Sequence, residues 1–382
     1  MSAVHPLPPA EILAGVQHAY VRYRDDIEVS EIGEEQIFSD IIGTLRRQDR
    51  AMQERCGHAL RVSYAKSHGL ATGELRVAAN LPTELRQGLF SQPCSYPVVV
   101  RLAQAPGELV DDRKASTPLG LAVKVLGVAG QMLPWHEGRN THDFLLGSAP
   151  VFASAGPKEF LASLRPSTTP AQSPGGLARV LSLFARAGGL GRHGPAGDHN
   201  RQAGTAGVRR PLAESYFSQT PCRYSDYIAK IRLSPVMQEL LQRLGDGPGV
   251  LDDEDALRTA VGFFMRQHSA EFELAVQLCT DLRTTPVEDA CVDWPEHASP
   301  YRAVARLVLP PQDAWSIARQ AYVDETLSFS PAHALQAHRP LGGINRGRLK
   351  AYGIMAGFRR IHNRIHNRMP FNKPLGIDEL PD

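Results

Sequence analysis

An arginine and a tyrosine near the carboxyl end of the chain lie four residues apart, so that they would be neighbours on a helix. Arg348 precedes Tyr352 by four residues, and Arg359 follows seven residues later. On a helix these positions share one face. A guanidinium within reach favours the ionised form of a tyrosine, and a tyrosinate is one of the axial ligands of haem iron. The alternative is an ordinary basic helix with one packed tyrosine.

Segments with helical, strand and loop patterns must position these residues. Residues 9–55 have apolar side chains near helical spacing, with Ile12, Val16 and Tyr20 as examples, which predicts helix. From about residue 60 to 155, short β-branched runs between Pro, Gly and Asp turns predict an antiparallel sheet or barrel.

Further strands are predicted around Tyr227–Ile231, Glu271–Val276 and Ala303–Leu309. From Gln312 onward the pattern again predicts helix. The stretch 164–208 is rich in Pro, Gly, Ser and Gln and reads as a long loop or lid around one short helix.

Composition excludes several classes of protein. The formal net charge is +2 and the pI is about 8.3, so bulk charge gives no reason to expect nucleic-acid binding. No apolar run approaches the roughly 20 residues of a membrane span. The amino-terminal segment lacks the pattern of a secretory signal, and the five cysteines show no C-x-x-C spacing. We therefore expect a cytoplasmic protein without a transmembrane segment.

Five segments resemble motifs of the catalases, in the same order and at similar spacing. Arg61–Lys66 resembles R-V-x-H-A-K, and Pro97–Ala103 resembles P-x-x-x-R-F-S. Gly120–Lys124 resembles G-F-A-V-K, and Asp143–Phe152 resembles D-L-V-G-N-N-T-P-I-F. Gly347–Tyr352 resembles the proximal motif G-R-L-F-x-Y. The run from Leu327 to Arg346 is more similar to the bacterial catalase-related branch than to the large catalases.

The resemblance implies one haem b and a set of residues that would hold it. Tyr352 would be the iron ligand and Arg348 would keep it ionised. Phe152 would pack on the porphyrin. Guanidinium groups suit carboxylates geometrically, and three arginines would face the haem propionates: Arg61, Arg101 and Arg359.

The distal side of the implied site departs from the family. The catalytic histidine of catalases falls on Tyr64, and the serine that supports that histidine falls on Ala103. Their asparagine pair falls on Gly147 and Ser148. Peroxide heterolysis needs a base that moves a proton between the oxygens, and a phenol with a pKa near 10 is a poor base. We therefore take Tyr64 and Ser148 as the candidate catalytic residues.

His68 is the nearest histidine that could replace the missing base. On an extended chain it would lie about 13 Å from Tyr64. We therefore expect a surface or loop histidine rather than a distal base.

The sequence thus predicts an α+β, catalase-like antiparallel β-barrel with N- and C-terminal helices. Its expected parts are a helical segment (1–58), a haem-binding domain (59–365, with the 164–208 insertion) and a tail (366–382). The leading function is a haem enzyme that has lost hydrogen peroxide dismutation and acts on a small organic or lipid-like substrate, with peroxide as a candidate co-substrate. It would be a peroxidase, a hydroperoxide lyase or isomerase, or an oxygenase.

Two alternative functions stay open, as does the oligomeric state, for which a homo-oligomer is one option. One alternative is a non-catalytic haem sensor, store or carrier. The other is a catalase or peroxidase with a rearranged distal site.

Overall fold

A computed structural model describes residues 20–105, 107–112, 117–134, 140–164, 210–236, 253–363 and 380–381. Its strands form one antiparallel sheet. They are β1 (Ser67–Val77), β2 (Ser95–Gln104), β3 (Leu119–Leu126), β4 (Thr141–Gly147), β5 (Tyr216–Phe217), β6 (Cys222–Tyr224), β7 (Tyr227–Pro235), β8 (Ala270–Leu278) and β9 (Arg302–Leu309).

The sheet closes into a barrel because β5 pairs with both β4 and β7. The closed ring runs β4-β3-β2-β1-β9-β8-β7-β5, and β6 extends β7 as a hairpin. The closing strand β5 is short, with one residue paired to β4 and two to β7. The predicted antiparallel barrel is confirmed.

Alternation along the strands explains which side chains fill the barrel. In β3, Leu119, Leu121, Val123 and Val125 are all buried in the main apolar cluster. The residues between them, Gly120 among them, lie on the outer face because successive side chains of a strand point to opposite sides. The outer face of β2, β3 and β4 is where the predicted site residues converge.

Helices cover this barrel from outside. They are α1 (Glu34–Cys56), α2 (Pro157–Leu164), α3 (Ala256–Gln267), α4 (Ile317–Glu325) and α5 (Gly343–Asn363). Helix α1 packs against α2 and α5, while α3 and α4 pack against β1. At the α1–α5 crossing, a Cβ on Gly347 would lie 3.0 Å from the Phe38 ring, so a glycine there permits close approach.

The amino-terminal prediction was partly wrong. Residues 20–33 are not α-helical: they contain one short 3-10 turn at Asp25–Ile27 and a turn at 32–33, and α1 begins only at Glu34. Gly33 starts the helix in a left-handed conformation (φ 77°), a backbone geometry that glycine adopts without steric cost. Apolar spacing alone did not reveal this boundary.

Three other predictions fall largely on residues that the structure does not describe. These are the helix before residue 20, the 164–208 lid and the 366–382 tail. Within the described residues, no helix is both long and apolar enough to cross a membrane.

Candidate functional site

Helix α5 carries Arg348 and Tyr352 on one face, as predicted. The Arg348 Cζ atom lies 5.6 Å from the centroid of the Tyr352 ring. Arg348 Nη1 donates a hydrogen bond to Asn345 Oδ1 (3.0 Å). The buried Asn345 amide in turn donates to the carbonyls of Pro221 (3.1 Å) and Leu341 (2.9 Å). Asn345 therefore fixes the guanidinium that stands beside Tyr352.

Sequence reasoning missed Asn345. The available signal was its position, one helical turn before Arg348 on the same face of α5. The sequence does not reveal that one of its partners, Pro221, lies on the β5–β6 connection.

Tyr64 is brought to the same place from the start of the barrel. Its backbone is left-handed (φ 55°), its N–H donates to Ala105 O (3.0 Å), and its carbonyl accepts from Arg101 Nη2 (2.6 Å). A bulky residue in this conformation is an outlier that its surroundings must hold in place.

The electrostatics of Tyr64 tie it to the pair on α5. Burial raises the pKa of the Tyr64 phenol to about 12, Tyr352 adds to the rise, and Arg348 opposes it. The phenol is therefore protonated at neutral pH. It can donate a hydrogen bond, but it is a poor general base.

A row of small residues lies under the Tyr64 ring. Ala103 of β2 pairs with Gly120 of β3, which pairs with Gly147 of β4. A Cβ on Gly120 would lie 2.3 Å from Tyr64 Cε1, so the ring lies directly on the bare backbone of the sheet. Ala103, at the position of the family's supporting serine, leaves this row without a hydroxyl.

Three predicted propionate ligands lie near one another, and we call them the arginine cluster: Arg61, Arg101 and Arg359. Arg101 is buried and the other two are half-buried. Burial lowers the pKa of each, and Arg61 lowers those of the other two further. Asp324 opposes the shift in all three. Arginine stays protonated in proteins, so these lowered pKa values report buried positive charge that the nearby carboxylates do not balance.

The arginine cluster fits a dianionic group. Arg61 Nη1 pairs with Asp324 Oδ1 (3.1 Å), and Arg101 donates from Nη2 to the backbone of Tyr64 and Ala65. The Arg101 Nε atom is buried and makes no hydrogen bond with any described residue. Haem carries two propionates, so the donor chemistry of these residues suits it, and Tyr352 is the candidate ligand to iron.

Ser148 and Tyr64 line one small cavity. Its other lining residues include Pro118, Gly147 and Gln219. The Ser148 Oγ atom accepts a hydrogen bond from Leu119 N (3.0 Å), so the hydroxyl has a structural partner as well as a place beside Tyr64. Gln219 was not predicted, and no motif in the sequence marks it.

Phe152 and His68 lie apart from this cavity. The Phe152 ring packs against Phe160 of α2, with centroids 5.7 Å apart, so its packing on a porphyrin stays a prediction. His68 is fully buried in β1, at an irregularity in the β1–β2 register. The expectation of a surface or loop histidine was therefore wrong. Its charged neighbours are Lys66, Arg258 and Arg101.

Two hydrogen bonds join the end of α5 to the segment that carries Arg61 and Tyr64. Ala59 N donates to Asn363 Oδ1 (3.0 Å), and Asn363 Nδ2 donates to Ala59 O (3.1 Å). This reciprocal pair fixes the two halves of the site relative to each other.

Comparisons with known proteins agree on the architecture. No protein-family model matches the sequence, and no curated protein is significantly similar to it. Among solved structures, a fungal catalase is 16% identical, with a TM-score of 0.58, and the match covers 82% of this chain and 63% of that one. Catalase A from Saccharomyces cerevisiae is 14% identical with a TM-score of 0.57, over 82% and 64% of the two chains.

A bacterial catalase is 14% identical, with a TM-score of 0.53, over 96% of this chain and 68% of its own. The chain thus spans slightly less than two thirds of the two fungal structures. Together with the closed antiparallel barrel and its flanking helices, these matches show that the chain has the catalase-like fold.

Proposed function

We propose that this chain is a haem enzyme that holds haem b through Tyr352, does not efficiently disproportionate hydrogen peroxide, and acts on a small organic substrate. One observation carries the proposal. Tyr64, Arg348 and Tyr352 lie close together, each half-buried, and Tyr64 has a pKa of about 12. The site thus combines Tyr352, a candidate iron ligand, with Tyr64, a hydrogen-bond donor that is a poor base.

Each residue has a distinct role in this proposal. Arg348, held by Asn345, places its guanidinium beside the Tyr352 ring and supports Tyr352 as the iron ligand. The arginine cluster binds the propionates. When bound, haem supplies the redox chemistry of peroxides and oxygen, while the protein excludes water and orients the substrate.

The distal phenol of Tyr64 is better suited to donating a hydrogen bond than to transferring a proton. A protonated phenol donates a hydrogen bond and stabilises developing negative charge. It does not shuttle a proton at neutral pH, because its pKa is too high. Transformation of an organic hydroperoxide therefore suits this cavity better than dismutation of hydrogen peroxide.

Substitution of Tyr352 by Phe tests the haem assignment. Purified Tyr352→Phe protein should lose most of its haem and the ferric tyrosinate absorption, because the anionic ligand is removed. Tyr227→Phe is the matched control, since Tyr227 packs against Tyr20 elsewhere on the barrel, and it should retain both. Equal haem content and spectra in the two variants would refute the assignment.

Oxygen release from hydrogen peroxide tests the reaction. Acid–base assistance contributes about 10²–10⁴-fold, so we expect release at least about 100-fold slower than from a catalase assayed beside it. Turnover of an alkyl hydroperoxide by the same preparation should be readily measured. Haem-loaded protein that turns over no organic hydroperoxide would favour a carrier and refute the enzyme.

A further inference from the structure

Two glycines of the barrel leave adjacent bare positions on its outer face. Gly120 and Gly147 are direct partners across β3 and β4. Direct partners in an antiparallel pair present their side-chain positions on the same face, with Cα atoms about 4.5–5.5 Å apart. Whatever lies on one of these glycines is therefore a neighbour of whatever lies on the other.

The carboxamide of Gln219 lies over Gly147. A Cβ on Gly147 would meet Gln219 Oε1 at 3.1 Å, Cδ at 3.2 Å and Nε2 at 3.3 Å. The Tyr64 ring lies over Gly120 in the same way. The amide thus fills the space that a side chain at position 147 would enter, beside the Tyr64 phenol.

The turn that carries Gln219 is held in a specific shape. Gln219 has a left-handed backbone (φ 63°). On either side of it, Ser218 Oγ donates to Thr220 O (2.8 Å) and Thr220 Oγ1 donates to Ser218 O (3.2 Å). Ser218 also forms two hydrogen bonds with Ile231 of β7. The Ser218 N–H donates to Ile231 O (2.9 Å), and the Ser218 hydroxyl accepts from Ile231 N (3.1 Å). Two of the described non-glycine residues with positive φ, Tyr64 and Gln219, therefore line one cavity.

The Gln219 amide nitrogen has a hydrogen-bond partner, whereas the amide oxygen has none among the described residues. Gln219 Nε2 donates to Val151 O (2.8 Å). No described residue donates to Gln219 Oε1, and the Tyr64 hydroxyl makes no hydrogen bond within the described chain. The cavity beside them has room for about one hydroxyl-sized group, so a ligand places only its polar head group there.

We propose that Gln219 supplies this cavity with the carboxamide that position 147 lacks, and that Gln219 Oε1 and the Tyr64 hydroxyl together bind a hydroxyl or hydroperoxyl head group. The head group donates its proton to Gln219 Oε1 and accepts a hydrogen bond from Tyr64. A group that only accepts, or only donates, satisfies one side of this pair. Gln219 is thus a candidate binding residue that the sequence resemblance places nowhere.

The hydroperoxide class of ligand rests on the proposed function, but the position of the amide does not. The test therefore uses an unreactive probe. Methanol has the heavy-atom count of hydrogen peroxide and one hydroxyl that both donates and accepts. Acetonitrile only accepts and serves as the control ligand.

The experiment moves the carboxamide from one side of the cavity to the other. Binding of ¹³C-methanol is titrated by NMR to the wild type, to Gln219→Gly and to the double variant Gly147→Asn with Gln219→Gly. Glycine suits the left-handed backbone of position 219, so the single variant keeps the turn. One lost hydrogen bond weakens methanol binding by about tenfold, and the asparagine at position 147 restores it to within about threefold. Acetonitrile should bind all three proteins alike.

The same series in the Tyr352→Phe background separates this inference from the haem assignment. If the Tyr352→Phe proteins lose haem and keep the same order of methanol affinities, the haem assignment and the Gln219 inference both hold. If haem content is unaffected by Tyr352→Phe, the haem assignment fails while the methanol series still judges Gln219. Methanol affinity that is unchanged in Gln219→Gly, or a double variant that binds no better than Gln219→Gly, overturns the inference.

Discussion

Gly120 and Gly147 face each other across β3 and β4, and each lies beneath the side chain of a residue with a left-handed backbone. Tyr64 lies on the first glycine and Gln219 on the second. The absence of two Cβ atoms, rather than the presence of a catalytic motif, creates the space in which the distal side chains sit.

Gly120→Ala should destabilise the protein through Tyr64. The new Cβ would lie 2.3–2.5 Å from two atoms of the ring, a distance that forces the ring or the strand to move. Overpacking of this kind costs about 1–3 kcal/mol, measurable by urea unfolding. In a Tyr64→Ala background the same substitution should cost much less. An equal cost in both backgrounds would show that the ring does not lie on Gly120.

Tyr64→Phe should separate the ring from its hydroxyl. The phenyl ring still covers Gly120, so stability should change little, while turnover of an alkyl hydroperoxide should fall about 10–100-fold because the donor is lost. In the wild type, the Tyr64 pKa of about 12 keeps the phenol protonated. The rate of the wild type should therefore show no loss from this group between pH 7 and 10. A variant as fast as wild type would mean that only the ring matters.

Asn345→Leu should disturb Tyr352 through Arg348. The substitution removes the acceptor of Arg348 and two donors to backbone carbonyls, which should cost about 1–3 kcal/mol of unfolding free energy and shift the tyrosinate absorption. Asn345→Asp keeps an acceptor for Arg348 but lacks the two donors. It should restore the absorption and leave the stability low. Identical spectra for wild type and Asn345→Leu would contradict a positioning role.

His68 should make the fold sensitive to mild acid. Burial, together with the positive charges of Lys66, Arg258 and Arg101, lowers the pKa of His68 to about 3. Neither ring nitrogen makes a hydrogen bond of normal geometry, although Gln104 lies close enough to oppose the shift. The unfolded chain binds a proton near pH 6.5 while the folded chain does not, so stability is full above that pH and is lost as the pH falls towards 3.

Between pH 7 and 5 this one group should remove about 2 kcal/mol of unfolding free energy. Urea unfolding of wild type and His68→Leu at both pH values measures the difference, and the variant should lose about 2 kcal/mol less. Parallel losses in the two proteins would exclude His68 as the cause.

The sequence predicted the barrel because its signal is local. Alternating side chains in β3 and β8 mark strands, and the spacing of Arg348 and Tyr352 marks one helical face. The predicted convergence of Tyr64 with that face followed from resemblance and agrees with the structure.

Other features escaped the sequence because they depend on register and on backbone conformation. The place of Gln219 follows from a left-handed turn and from the pairing of β4 with β5, neither of which has a sequence pattern here. The burial of His68 follows from an irregular β1–β2 register, whereas the prediction assumed a regular extended strand. Asn345 could be placed on its helix, but its partner Pro221 on the β5–β6 connection could not.

The two hydrogen bonds between Ala59 and Asn363 bear on when the site is completed during synthesis of the chain. They join residues separated by 304 positions, and α5, which carries Tyr352, is the last described helix to leave the ribosome. This contact cannot form before α5 has been synthesised. A nascent chain that has completed its barrel strands still lacks the helix opposite Tyr64, so any cofactor held between them enters after the barrel is made.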